Sequence, residues 1–508
     1  MTVATATYQN FIGGEWVDAS SGETFEVRDP ANGELLAVFP ESTKDDVDRA
    51  VKAARAAFDK WRLMPAPHRG EILFKAAEIM IERKEDLARE MTREMGKVVA
   101  ETRGDVQEAI DMLYYMGGEG RRLFGEVVPS ELPDKMALST RLPVGVVGAI
   151  TPWNFPIAIP SWKLAPALIC GNTVVFKPAE DTPILATRLV EILVEAGLPK
   201  GVVNVVYGHG PVGAAIVEHT DVDLVTFTGS TATGKKITQG AAEDLKRVSL
   251  ELGGKNVIIV HEDADLDLAV EGIVWSAFGT SGQRCTAASR VVVHEKVYDE
   301  VARRVVEAAE QMKLGHGLED DTDLGPVINQ RQLDKIASYR EIGEADGATL
   351  LTGGERATDG DLGDGFFYKP TVWGNVDPKS RLAQEEIFGP VTGLIKVGSF
   401  EEAIAVANDT SYGLSSSIFT KDVNLAFKAM RDLYTGITYI NAGTTGAEIQ
   451  LPFGGTKGTG NGHRDAGTAA LDVYTEWKAL YIDFSGKIQK AQIDELSFGD
   501  EDEVKLQP

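Results

Sequence analysis

A cysteine set among glycines and next to a cation can serve as a nucleophile, and this chain has one. Cys285 lies in the run Phe278-Gly-Thr-Ser-Gly-Gln-Arg-Cys-Thr-Ala287 and is one of only two cysteines in 508 residues. Gly279 and Gly282 let backbone approach a ligand closely. The adjacent Arg284 and local amide dipoles are expected to lower the thiol's pKa and raise its thiolate fraction. Cys170 is set differently: Trp162-Lys-Leu-Ala-Pro-Ala-Leu-Ile-Cys-Gly171 is apolar, and a free cysteine there packs as a small hydrophobe.

Four further stretches carry residues able to do chemistry. Glu251, in Leu250-Glu-Leu-Gly-Gly-Lys-Asn256, ends a predicted strand and suits a general base or a buried hydrogen-bond partner. Asn154, in Thr151-Pro-Trp-Asn-Phe-Pro156, holds two amide donors between prolines, as an oxyanion donor or a turn residue would. Lys177 and Glu180, in Phe176-Lys-Pro-Ala-Glu180, read as a ribose clamp or a surface ion pair. A carboxylate in such a clamp accepts from 2′ and 3′ hydroxyls and repels a 2′-phosphate, favouring NAD over NADP. Gly229 and Ser230, in Phe227-Thr-Gly-Ser-Thr-Ala-Thr-Gly234, open a helix whose free N–H groups suit a phosphate, or form only a capped turn. Gly208-His-Gly-Pro-Val-Gly213 matches a dinucleotide fingerprint in spacing alone: no ribose acid follows, and its proline removes a donor. No metal site is expected.

The scaffold is legible from alternation. From about residue 142, β-branched strands at 144–150, 173–176, 202–207 and 224–228 alternate with helical stretches, of which 184–196 is the clearest. Such alternation predicts a parallel sheet covered on both faces, with ligands at the carboxyl ends of its strands. A second series follows Gly253-Gly254, with strands at 257–260, 290–293, 391–397, 416–419 and 437–440 and helices at 298–312 and 424–432. The expected fold class is α/β, with a cleft where the two series meet. Ahead of them lie short strands within 11–38, then a helix opening at Ser42 with Val47, Val51, Ala54, Phe58 and Trp61 at helical spacing. A second helix is predicted after Pro67 and a third near 102–116. Residues 351–365 read as a surface loop, and the polar tail with Asp500-Glu-Asp-Glu503 is expected to fray.

Composition narrows the function classes. With 43% apolar and 25% charged residues the chain is of soluble globular type, long enough for two to three domains. A net charge of −26 disfavours nucleic acid as a partner. No apolar run approaches the ~20 residues that span a bilayer. Two distant cysteines and no signal peptide at the start lead to the expectation of a reducing cytoplasm.

Taken together and in order, the stretches at 151–156, 176–180, 227–230, 251–256 and 282–286, with Glu385-Glu-Ile-Phe-Gly-Pro390 and Pro452-Phe-Gly-Gly455, resemble the aldehyde dehydrogenase superfamily from about Tyr8 to about Lys478. The resemblance implies oxidation of an aldehyde to a free acid, with NAD as cofactor and NADP as the second candidate. Cys285 would be the nucleophile, Asn154 with the Cys285 N–H the oxyanion site, and Glu251 the activator of the hydrolytic water. Lys177 and Glu180 would hold the adenosine ribose, Gly229 and Ser230 the pyrophosphate, and Glu386 the nicotinamide ribose, with Phe388 placing the ring. Gly210 would lie near the adenine, and Ile150, Pro152, Trp153 and Leu252 complete the cofactor set. The resemblance further implies a Rossmann-like cofactor lobe (1–123 and 145–253), a catalytic lobe (254–450), a small β oligomerisation arm (124–144 and 465–490) and an acidic tail (491–508). A homo-oligomer, dimer or tetramer, goes with it.

Within the family, Asn441-Ala-Gly-Thr-Thr-Gly-Ala-Glu448 and Gln283-Arg-Cys-Thr286 are similar to α-ketoglutaric semialdehyde dehydrogenases and antiquitin. That likeness implies an aldehyde with a distal carboxylate, such as 2,5-dioxopentanoate; aminoadipate semialdehyde and simple aliphatic aldehydes are the alternatives. Arg284 with the Gly446 and Ala447 amides would hold the carboxylate, unless Arg284 forms an outward salt bridge. Glu108 would suit a substrate amine. Gly460-Asn-Gly-His-Arg-Asp465 is offset by one residue from the family's pattern, so no role is carried onto Asp465.

Overall fold

The computed structural model describes residues 6–493. Two seven-stranded sheets dominate it. The first runs Arg247–Glu251, Leu224–Thr228, Val146–Ile150, Thr173–Lys177, Val203–Val205, Asn10–Ile12, Glu15–Val17. Its first five strands are parallel, and the last two add an antiparallel hairpin. Val146–Ile150 and Thr173–Lys177 are buried throughout, as a sheet covered on both faces requires. From Val146–Ile150 the chain builds outward to Val203–Val205, then returns to lay Leu224–Thr228 on the other side. That reversal is a topological switch point, where diverging connections open a crevice beyond the strand ends.

The second sheet runs Thr349–Thr352, Thr371–Gly374, Val391–Val397, Ala288–His294, Asn256–Val260, Ser415–Phe419, Ile437–Ile440. All neighbours are parallel except the outermost pair, Thr349–Thr352 with Thr371–Gly374. Cys285 precedes Ala288–His294 and so lies at the amino edge of this sheet, whereas Glu251 ends a strand at the carboxyl edge of the first. Residues 252–255 join the two edges directly, and the chain crosses back after Ile437–Ile440 to reach Ala466 in the first lobe's core.

Local signals explain where sequence and structure agree and where they part. The predicted helix at Ser42 begins at Lys44, because Thr43 is the N-cap: its side chain accepts from the Asp45 N–H and Asp46 completes a capping box. The sequence reading passed over the helix Lys84–Met95. Only Arg83 divides it from Ala66–Glu82, so no glycine or proline marks the break. Strands Thr349–Thr352 and Thr371–Gly374 were also missed, each being only four residues long. The loop expected from residue 351 thus starts inside a strand and carries a short 3₁₀ turn at Gly360–Asp364.

A separate three-stranded sheet pairs Thr475–Asp483 with Lys135–Pro143, and Lys135–Pro143 with Val127–Val128. Trp477, Tyr481 and Ile482 on it are exposed, as is Phe484 just beyond. Residues 465–474, expected to belong to this arm, instead pack into the first lobe: Ala466, Ala470, Leu471, Val473 and Tyr474 are buried in its core. The acidic run Asp500-Glu-Asp-Glu503 lies outside the described residues. Among the described residues no helix is long and apolar enough to cross a membrane.

Candidate active site

A cavity of about 830 Å³ opens at the switch point. Ile150, Pro152, Trp153, Lys177, Glu180, Gly210, Gly229, Ser230, Leu252, Glu386 and Phe388 all line it, together with Asn154 and Cys285. Strand geometry gathers them. Ile150 and Lys177 pair across neighbouring strand ends, and Thr228 pairs with Glu251, so the loops that follow project from one edge.

At one side Lys177 Nζ lies 3.2 Å from Glu180 Oε2. Burial works against the Glu180 carboxylate, but the Lys177 charge and hydrogen bond, its own backbone N–H and the His209 ring together outweigh this and hold it below the ordinary range. It is therefore ionised and able to accept from a vicinal diol. Ser230 caps the helix Thr231–Ala241 through Thr233 N, and Gly229 precedes it. At another side the half-buried Glu386 accepts from Gly254 N at 3.0 Å, and a Cβ on Gly253 would fall 2.3 Å from its carboxylate, so a side chain there would push that carboxylate aside. Phe388 sits at φ 64, a left-handed conformation that costs a non-glycine residue energy. Gln332 Nε2 donates to the Phe388 and Ile387 carbonyls at 2.7 and 3.1 Å, and Trp153 packs edge-on to the Phe388 ring at 5.4 Å. An ionised diol acceptor, an exposed helix start and a second carboxylate on one wall fit an adenine dinucleotide. Sequence reading missed Gln332 and Lys335, which also line the cavity, because the helix Gln330–Ala345 carries no local motif.

The loop bearing Cys285 is tightly constrained. After the helix Leu266–Phe278, Thr280 and Ser281 both take left-handed φ, 55° and 54°. Thr280 N donates to Glu101 at 2.8 Å and Ser281 Oγ to the Gly325 carbonyl at 2.6 Å, fixing that turn. A Cβ on Gly282 would fall 2.0 Å from the Gly389 carbonyl, which brings this loop against the segment carrying Glu386 and Phe388. Asn154 is buried and donates one Nδ2 hydrogen to the Gln283 carbonyl at 2.9 Å.

The thiol is not activated as the sequence suggested. Burial pushes Cys285 up to about 12, and Glu251, Glu386 and Glu108 add to the shift; only the Thr286 N–H pulls the other way. The Arg284 guanidinium is engaged elsewhere: Nη2 pairs with Glu101 at 2.9 Å, Nε donates to Thr280 Oγ1 at 2.8 Å, and the group lies 4.6 Å over the Trp275 ring. Of the two readings of Arg284, the structure displays the ion pair. Cys170, in the core, is also pushed to about 12 by burial. What separates the two cysteines is access, since only Cys285 opens into the cavity.

Glu251 is set back from that cavity. Neither carboxyl oxygen meets a hydrogen-bond partner among the described residues. Burial raises its pKa well above the ordinary range and Asp465 adds to this, while Lys163 and Arg464 oppose it. Lys163 and Asp465 form a fully buried ion pair at 2.5 Å, and a Cβ on Gly454 would fall 2.5 Å from Glu251 Oε1. Sequence analysis set Asp465 aside and passed over Lys163, although a lysine inside the apolar helix Ala158–Cys170 was a signal.

On the side of Cys285 toward the helix Val99–Glu119, Glu108 is lifted to about 8 by burial, with Asp105 adding. Tyr439, which sequence reading did not single out, is pushed up to about 12 by burial, with Glu448 and the Cys285 thiol adding. Gly446 is exposed and Ala447 half-buried; neither lines the large cavity.

Residues 16–480 match the aldehyde dehydrogenase family model. The chain belongs to the aldehyde dehydrogenase family, and it is an oxidoreductase acting on aldehydes. It is 44% identical over 478 residues to the α-ketoglutaric semialdehyde dehydrogenase of Bacillus subtilis, covering 94% of this chain and 98% of that one. With the α-ketoglutarate semialdehyde dehydrogenase of Haloferax volcanii it shares 44% over 476 residues, 93% and 98% of the two chains. In structure it is similar to the betaine aldehyde dehydrogenase of Staphylococcus aureus, solved in complex with NAD+: TM-score 0.93, 38% identity, 95% of each chain covered.

Proposed function

We propose that this enzyme oxidises an aldehyde bearing a distal carboxylate, with 2,5-dioxopentanoate favoured, through a thioester on Cys285. Cys285 Sγ, freed of its proton, bonds to the aldehyde carbon; the oxygen becomes an alkoxide that takes hydrogen bonds from the Cys285 N–H and from the Asn154 Nδ2 hydrogen not given to Gln283. Glu180 would hold the adenosine ribose of NAD+, Gly229 and Ser230 its pyrophosphate and Glu386 its second ribose; bound there, the nicotinamide would supply the acceptor for the hydride that the alkoxide carbon loses as the thioester forms. Glu251 then takes a proton from the water that attacks the thioester, the carbon–sulfur bond breaks to return the Cys285 thiolate, and the carboxylic acid product is released. The raised pKa of Glu251 suits it to hold that proton.

One arrangement carries the substrate reading. On the helix Val99–Glu119, Asp105 is paired with buried Lys97, Glu101 is paired with Arg284, and Glu108 is protonated at neutral pH. That face presents no unpaired negative charge, and Arg284 Nη1 donates to no acceptor among the described residues. A carboxylate is accepted there; an ammonium finds no ionised partner in Glu108. The names of the relatives above support the same substrate. The exposed aromatic residues of Thr475–Asp483 support assembly as a homo-oligomer, dimer or tetramer, and the cytoplasm remains the expected location.

A kcat/KM panel tests this. Arg284→Ala should raise KM for 2,5-dioxopentanoate at least ~10-fold more than KM for propanal; equal effects would remove the anchor. For the carboxylated substrate, kcat/KM should fall as pH rises through about 8, where Glu108 ionises and repels it, and Glu108→Gln should abolish the difference from propanal. For the cofactor, Glu180→Gln should shift the NADP/NAD ratio of kcat/KM upward by ~10-fold, because an ionised repeller of the 2′-phosphate is lost. An unchanged ratio would remove Glu180 from the ribose.

A further inference from the structure

We infer that Asn256 is a positioning residue for the oxyanion site, clamping the turn that carries the Cys285 N–H. It stands at the amino end of the strand Asn256–Val260 and is 2% exposed. Its Nδ2 donates to the Cys285 carbonyl at 2.7 Å and to the Ala287 carbonyl at 2.9 Å. Its Oδ1 accepts from Ser415 N at 3.0 Å, in the adjoining strand. Both donors and the acceptor are thus spent on backbone, so Asn256 has little left for a ligand and acts only through what it holds.

What it holds is the nucleophile's own peptide. Ala287 N donates to the Arg284 carbonyl at 3.1 Å, closing a turn whose first amide plane carries the Cys285 N–H. The Arg284 carbonyl, which shares its amide plane with the Cys285 N–H, is held by Ala287 N, and the Cys285 and Ala287 carbonyls in the following planes are fixed on one side-chain amide, so the turn that sets the direction of that N–H is pinned. The Cys285 N–H donates to no acceptor among the described residues, as an oxyanion donor kept in reserve must. The carbonyl between the two clamped ones, Thr286, is held separately by Thr444 Oγ1 at 2.7 Å. Gly254 leaves the space: a Cβ there would fall 2.4 Å from the Cys285 carbonyl. Asn256 is therefore where the amino edge of the second sheet sets the direction of a catalytic N–H.

This rests on Cys285 being the nucleophile, which Cys285→Ser tests separately. Two variants probe the clamp: Asn256→Ser, whose short hydroxyl reaches at most one carbonyl, and Asn256→Asp, which keeps the size but turns a carboxylate toward two carbonyl oxygens. Two reactions of the same sulfur are timed in the full-length enzyme. Addition to an aldehyde, read as the burst of NADH, needs the N–H; alkylation by iodoacetamide does not. We expect the burst to slow by roughly 10- to 100-fold, a share of the 10²–10³ that one oxyanion donor is worth, while alkylation stays within about threefold of the native rate. Equal slowing of burst and alkylation, or an unslowed burst, overturns the assignment.

Discussion

Cys285→Ser should lower aldehyde-dependent NADH formation by roughly 10⁴-fold or more, with NAD+ affinity near native. The hydroxyl is of similar size, so the cavity wall survives. A thiol held at about 12 still yields a thiolate to a base; a serine hydroxyl in the same ring of carboxylates does not. The variant separates the two cysteines as well, because Cys170 remains in place and is buried. Stopped-flow fluorescence with saturating aldehyde measures the burst, and nucleotide titration measures binding. A variant keeping a tenth of native activity would place the nucleophile elsewhere.

Glu251→Gln has the second-largest expected effect, and a different shape. The first turnover should persist as a burst of about one NADH per site, while steady-state turnover falls roughly 10²–10⁴-fold, because only hydrolysis of the thioester needs the base. The sign of the pH effect follows from its raised pKa: protonated Glu251 cannot accept a proton, so native deacylation rises as pH rises through that pKa, and the glutamine variant should be flat. Loss of the burst together with turnover would mean that Glu251 also deprotonates Cys285.

Much of the site was legible because its chemistry is local. The stretches bearing Asn154, Glu180, Ser230 and Glu251 each sit at the end of a strand or the start of a helix, and Cys285 lies in the turn before a strand, where composition announces a break. The strands Leu224–Thr228, Val391–Val397 and Ile437–Ile440 have the bounds read from their β-branched runs. What escaped depends on direction or distance. No spacing rule tells which way Arg284 points; its partner Glu101 is 183 residues away. Lys163 and Asp465 meet across 302 residues. The expected lowering of the Cys285 pKa failed for the same reason: the flanking cation was visible in the chain, whereas the three carboxylates converge only in the fold.

Residues 252–255 form a tether of four residues between the strand ending at Glu251 and the one beginning at Asn256. Fully stretched, it reaches about 14 Å. The returning segment runs beside this tether, with Leu252 N donating to the Thr459 carbonyl at 2.7 Å, so both crossings hold the halves together next to the base and the nucleophile's support. Lesions away from these crossings, such as the loss of the Asp181–Asn329 contact, should cost grip on the dinucleotide well before they disturb bond making at the sulfur.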